Sequence, residues 1–136
     1  MRDKTDDFTN VNSARDEQAG AIDWSALDSL RVLQKPGKPD LRKQLMSVYL
    51  SSSPTLMDNI KTAVTTMDGQ ALMQAAHALK SSSVSIGAKV FGTTCSELEQ
   101  LGRINSLGDV PALAQRAEYE FAAVCSAFRE ALQQND

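Results

Sequence analysis

The chain has 136 residues, 42% of them hydrophobic and 5% aromatic, and its 17 acidic and 14 basic side chains leave a net charge of −3. That length fits one domain with a single core, and the acidic balance argues against nucleic acid or an anionic membrane surface as the main partner. No apolar run approaches the roughly 18 residues of a membrane span, and few aromatics suit a helical core of Leu, Ala, Val and Met better than a β-sandwich.

Residues 1–20 are polar, charged and without sustained periodicity, which predicts a disordered tail or linker. They do not read as a signal peptide, so a cytoplasmic location is expected. The folded unit is expected over residues 21–134. It opens with Ile22-Asp23-Trp24-Ser25-Ala26-Leu27, where Asp23 caps a helix and Ile22 staples onto Leu27. Trp24, Leu27, Leu30 and Leu33 continue one face to about Gln34, before Lys35-Pro36-Gly37-Lys38-Pro39 breaks it. So short a helix is expected to lie across one end of a bundle.

A second helix starts at Asp40 with Pro39 setting its entry, and Leu41, Leu45 and Val48/Tyr49 give its apolar stripe. Ser51-Ser52-Ser53-Pro54 either restarts or kinks it, and a continuous path with a bend is favoured. Leu56/Met57, Ile60, Ala63/Val64 and Met67 then restore the stripe, and Asp68-Gly69 makes a turn.

The next segment holds the one histidine in the chain. Leu72, Ala75/Ala76, Leu79, Ser82/Ser83 and Ile86 follow helical spacing, and that stripe centres nearly opposite His77. The imidazole is therefore predicted to face water, sharing its face with Gln70, Met73, Lys80, Ser81 and Val84. Gly87 ends this helix. A further helix carries Val90/Phe91, Thr94/Cys95, Leu98 and Leu101 and frays near Ile104, with a loop over residues 105–108. Asp109 caps the last helix, Pro111 sits in its first turn, and its stripe is Leu113, Ala117, Phe121 (or Ala122), Val124/Cys125, Phe128 and Leu132. Cys95 and Cys125 fall on apolar faces and read as buried free thiols. The expected fold is all-α, an antiparallel up-down four-helix bundle with the short extra N-terminal helix across one end.

The stretch His77-Ala78-Leu79-Lys80-Ser81-Ser82, followed by Gly87, resembles the signature of the histidine-containing phosphotransfer (Hpt) domain, roughly H-x-L-K-G-S-x(4)-G. Tyr49-Leu50 and Pro54 ahead of it and Cys95-Ser96-Glu97-Leu98-Glu99 behind it also look like that family, over about residues 22 to 133. Ser81 departs from the family's usual glycine; its hydroxyl either donates to a phosphoryl group or obstructs docking. The resemblance implies the four-helix fold and a phosphorelay intermediate. In that role His77 accepts a phosphoryl group from a receiver-domain aspartate and hands it to another receiver. The partners implied are a response-regulator receiver domain and/or a hybrid sensor histidine kinase, and the receiver supplies the acidic pocket and Mg²⁺. The chain has no cofactor of its own, and is expected to be a monomeric carrier rather than an enzyme.

The residues support that chemistry independently. A neutral imidazole has a lone pair that can attack phosphorus. Lys80, one turn away, is placed to meet phosphoryl oxygens as a cation. The small residues at 81–83 keep the surface low, and Met73, Val84 and Gln70 form the expected docking patch. Glu99 or Gln100 on the facing helix is placed to hold the ring. Metal binding lacks ligands, with one histidine and two cysteines thirty residues apart. A Ser/His/Asp hydrolase would need an oxyanion hole that a simple bundle offers poorly, and a kinase would need an ATP-binding domain. The alternative from another class is an adaptor bundle that binds a signalling partner through the same face without phosphotransfer.

Overall fold

The computed structural model describes residues 20–134. The segment read as a tail or linker lies, except for Gly20, outside the described residues. Helix α1 spans Trp24–Asp28 and runs into a 3₁₀ turn, Ser29–Leu33; α2 spans Leu41–Thr65, α3 Gly69–Ser85, α4 Lys89–Arg103 and α5 Val110–Gln133. Among the described residues there is no strand, and no helix is long and apolar enough to cross a membrane. Helices α2 to α5 pack in chain order, and α5 returns against α2 to close an up-down-up-down ring.

The core is built from the faces that helical spacing selects. Ile60, Leu72, Leu79, Phe91, Leu98, Val124 and Phe128 are wholly buried, and Phe128 meets Tyr49 edge-on with centroids 5.5 Å apart. Both cysteines are buried and free. Of the alternatives at one turn of α5, Phe121 is half-buried against Phe91 and Ala122 is exposed.

The short N-terminal helix lies across the end where α3 gives way to α4. The Asp23 carboxylate accepts from the Ser25 amide at 3.1 Å, and its backbone amide donates to the Gly87 carbonyl at 2.7 Å. Gly87 has φ +93°, the left-handed conformation that ends α3. Lys89 completes the joint with a 2.8 Å ion pair to Asp23. Trp24 packs edge-on against Phe128. The α-helix is shorter than its spacing suggests. Beyond Asp28 the chain winds at three residues per turn, which rotates Val32 and Leu33 into solvent while Leu30 stays partly buried. Gln34 then fastens the Pro-Gly loop, accepting from the Leu41 amide at 2.7 Å and donating to the Pro39 carbonyl at 2.9 Å.

Helix α2 departs most from its sequence reading. It is one continuous helix with Pro54 inside it. Its buried stripe is Met46, Tyr49, Ser53, Met57, Ile60 and Ala63, whereas Leu45 and Val48 are exposed. The cause is Ser53, which reads as an interruption but is a core position. Its hydroxyl donates to the Tyr49 carbonyl, so its polarity is satisfied within the helix and its small side chain fits the interior. Around Pro54, which has no N–H to offer the Leu50 carbonyl, Ser52 likewise donates back to Val48 at 2.9 Å. With Ser53 inside, the stripe stays in phase with Met57 and Ile60, and Leu41, Leu45 and Val48 fall on its flank.

Two turn assignments also shift. Asp68 is the N-cap of α3, accepting from the Ala71 amide at 3.0 Å, and Gly69 is already helical, so the reversal falls on Thr66-Met67, with Met67 at φ 57°. Asp109 occupies the cap position of α5, but its side chain makes no capping bond. Its backbone carbonyl accepts from Leu113 instead, at 3.3 Å, and Pro111 in the first turn sets the helical φ that the cap would otherwise help to fix.

Candidate functional site

The site is built on the contact between α3 and α4. Helix α3 buries Leu72, Ala75, Ala76, Leu79 and Ser83, which turns His77 outward with 61% of its side chain exposed. Below it, the Ser83 hydroxyl and the Tyr49 phenol share a buried 2.7 Å hydrogen bond that pins α3 to α2. Glycines bring α4 close. A Cβ placed on Gly102 would lie 2.7 Å from the Gly69 carbonyl oxygen and 2.9 Å from the Met73 amide nitrogen, so the two backbones touch there. One turn before Gly102, this approach carries Glu99 to the foot of the imidazole.

Glu99 is the centre of the arrangement, with only 7% of its side chain exposed. Its Oε2 lies 2.9 Å from His77 Nδ1 and 2.7 Å from Arg103 Nη2. Its Oε1 faces the Lys80 ammonium at 2.9 Å as an ion pair. The Lys80 ammonium holds the Glu99 carboxyl below the usual carboxylate range, His77 acts in the same direction, and burial opposes them. Glu99 is therefore an acceptor only. It follows that Nδ1 carries the ring proton, and the lone pair of the neutral imidazole sits on Nε2, away from Glu99.

The other residues expected at the site divide into two groups. Lys80 is there, 31% exposed, but it is moored to Glu99 rather than standing free. Ser81 is exposed, and its carbonyl accepts from the Ser85 hydroxyl at 2.8 Å. Val84 is exposed and lies over α4, where a Cβ on Gly92 would meet its Cγ2 at 2.6 Å. Met73 is half-buried, and its backbone amide lies at the Gly102 crossing. Gln70 is exposed in the first turn of α3, about 10 Å along the helix axis from His77 at 1.5 Å per residue, and takes no part in the cluster. Gln100, the other candidate for holding the ring, is exposed. Arg103 went unnoticed in the sequence, although its place four residues after Glu99 is the spacing of a helical ion pair. Among the described residues no group of His, Cys, Asp and Glu could hold a metal ion.

The arrangement thus presents an imidazole of fixed tautomer, Nε2 outward, held by a carboxylate that Lys80 and Arg103 also contact. Such a group can accept an electrophile that a second protein delivers. Comparisons with known proteins agree with that chemistry. The family model described as Hpt domain matches residues 44–134. Among solved structures, the crystal structure of histidine-containing phosphotransfer protein B (HptB) from Pseudomonas aeruginosa PAO1 is similar, with a TM-score of 0.78 and 30% sequence identity over 87% of this chain and 99% of that one. No curated protein matches the chain.

Proposed function

This chain belongs to the Hpt domain family and serves phosphorelay phosphotransfer, and from that premise we propose that His77 is its phosphoacceptor and Nε2 the atom that carries the phosphoryl group. The observation that carries the reading is the Glu99–His77 contact at 2.9 Å, which fixes the proton on Nδ1 and leaves the Nε2 lone pair exposed. The donor is an aspartyl phosphate on a receiver domain. Nε2 attacks phosphorus, and the N–P bond forms as the P–O bond to the aspartate breaks. That electron pair leaves with the receiver's carboxylate. No proton moves in this step: Nδ1 keeps its hydrogen, and Glu99 faces the positive charge that develops on the ring. Handing the group to a second receiver is the same step in reverse.

The chain itself acts as a carrier, and a magnesium ion held in the receiver's acidic pocket supplies the further charge neutralisation. Lys80 lies one turn from His77, and a phosphoryl oxygen would compete with Glu99 for its ammonium. Ser81 supplies a hydroxyl on the same exposed face. A receiver would dock over His77 on the patch of Val84, Met73 and Gln70. Tyr49 on α2 meets Ser83 on α3, so the exposed Val48 stands about level with Val84 along the bundle. A cytoplasmic monomer meeting receiver and hybrid-kinase domains fits this role. The test is transfer from a ³²P-labelled phospho-receiver. Label should pass to the wild-type chain and be labile in acid but stable in alkali. Label persisting in His77→Gln would defeat the assignment, and stable receiver binding without any transfer would favour an adaptor instead.

A further inference from the structure

A carboxylate against Nδ1 has two opposed effects on a histidine nucleophile. It fixes the tautomer that exposes Nε2, but a bare negative charge there also favours the protonated ring. A protonated ring has no lone pair with which to attack. The Glu99 cluster separates these effects. Oε2 is shared between His77 Nδ1 at 2.9 Å and Arg103 Nη2 at 2.7 Å, so the arginine holds the shorter contact to the same atom. Oε1 is paired with Lys80. Together Lys80, Glu99 and Arg103 carry a net charge of +1, while the hydrogen-bond direction to Nδ1 is kept. The charged groups facing the ring are Lys80 from its own helix and Glu99 and Arg103 from α4. Among the described residues no ion pair of α1, α2 or α5 reaches it.

We propose that Arg103 is a positioning residue for phosphotransfer: by sharing the Glu99 oxygen that holds His77, it offsets the carboxylate's charge and keeps the ring a neutral nucleophile of fixed tautomer. Arg103 does not touch the reacting nitrogen and acts through Glu99. Its side chain is 54% exposed in the last turn of α4, so its pairing with Glu99 is not required to fill the core. The proposal rests on His77 being the phosphoacceptor, but its first measurement does not.

Because His77 is the one histidine in the chain, its ring C–H signals can be followed by proton NMR against pH in the intact protein. Arg103→Gln should raise the midpoint of that titration by roughly 0.5 unit or more, the effect of removing one cation about two bonded contacts from the ring. Arg103→Lys should restore most of the shift. In a Glu99→Gln background, where the arginine has lost its mooring, Arg103→Gln should shift the midpoint little. The pH profile of transfer from a phospho-receiver should move to higher pH with the titration. An Arg103→Gln midpoint that stays in place or falls, with helicity intact, would overturn the proposal. So would an equal rise in the Glu99→Gln background, because Arg103 would then act on the ring directly. If the midpoint shifts as stated while neither the wild type nor any variant accepts phosphate, the Arg103–Glu99 coupling is supported and the acceptor assignment fails.

Discussion

Replacing Gly102 with alanine tests the close crossing that places Glu99 under His77. The new methyl would sit 2.7 Å from the Gly69 carbonyl oxygen, 2.9 Å from the Met73 amide nitrogen and 3.3 Å from Leu72 Cβ. Two of these are backbone atoms of α3, so no rotamer change relieves them and the helices must separate. In a free helix the substitution would stabilise by about 1 kcal/mol. Overpacking a close-packed contact costs about 1–3 kcal/mol, and a rigid backbone neighbour puts this case at the upper end. The net expectation is a loss of about 1–2 kcal/mol, or a fall of several degrees in Tm for a domain of this size. Gly92→Ala is the internal comparison. Its methyl would meet Val84 Cγ2 at 2.6 Å, the tip of an exposed side chain that can turn aside, so clash and helix propensity should nearly cancel. Urea unfolding followed by far-UV circular dichroism measures both. A Gly102→Ala chain as stable as wild type, or less affected than Gly92→Ala, would refute the reasoning. Glu99 lies one turn from the displaced contact, so Gly102→Ala should also slow phosphotransfer, and Gly92→Ala should not.

Tyr49→Phe leaves the buried Ser83 hydroxyl without its 2.7 Å partner and should cost about 1–3 kcal/mol; a Tyr49→Phe/Ser83→Ala double variant should recover part of that loss in the same urea assay. Lys80→Ala leaves one oxygen of the buried Glu99 carboxylate without its ion-pair partner and should cost about 1–3 kcal/mol, and it should slow transfer at least tenfold in a rapid-quench assay, as expected for loss of a cation near the phosphoryl group. Acid should loosen the capped N-terminal end. The Lys89 ammonium, with Ser25, holds the Asp23 carboxyl down at about 2 against an ordinary 3.8. Its contribution is thus complete above about pH 4 and lost as the pH falls toward 2. Urea midpoints measured from pH 5 to 2 should show that part of the acid dependence missing in Asp23→Asn.

Much of the site is legible in the residues themselves. Leu72, Ala76, Leu79 and Ile86 fix the buried face of α3, and the outward direction of His77 follows from geometry alone. Glu99 and Gln100 compete until the phase of α4 is known. Cys95 and Leu98 in the core place Glu99 on the flank toward α3 and Gln100 in solvent. Arg103 is harder to see, because a Glu and an Arg four residues apart are common on any solvated helix. The pair gains its meaning from a tertiary event, the touching of Gly69 and Gly102, and glycine in a helix carries no sign of what it approaches. Helix α2 is misread for a related reason. Leu45 and Val48 have the hydrophobicity of core residues and Ser53 does not, yet a serine that satisfies its hydroxyl on its own helix can be buried. Residue polarity alone then puts the stripe one step out of place.

The most direct test of the account is to locate the phosphoryl group on the ring. The uniformly ¹⁵N-labelled chain, phosphorylated by a receiver, gives a long-range ¹H–¹⁵N correlation spectrum with the imidazole signals of one histidine. Phosphorylation at Nε2 of His77, with Nδ1 still directed at Glu99, is the predicted result. A phosphoryl group on Nδ1, or on any residue other than His77, would contradict it.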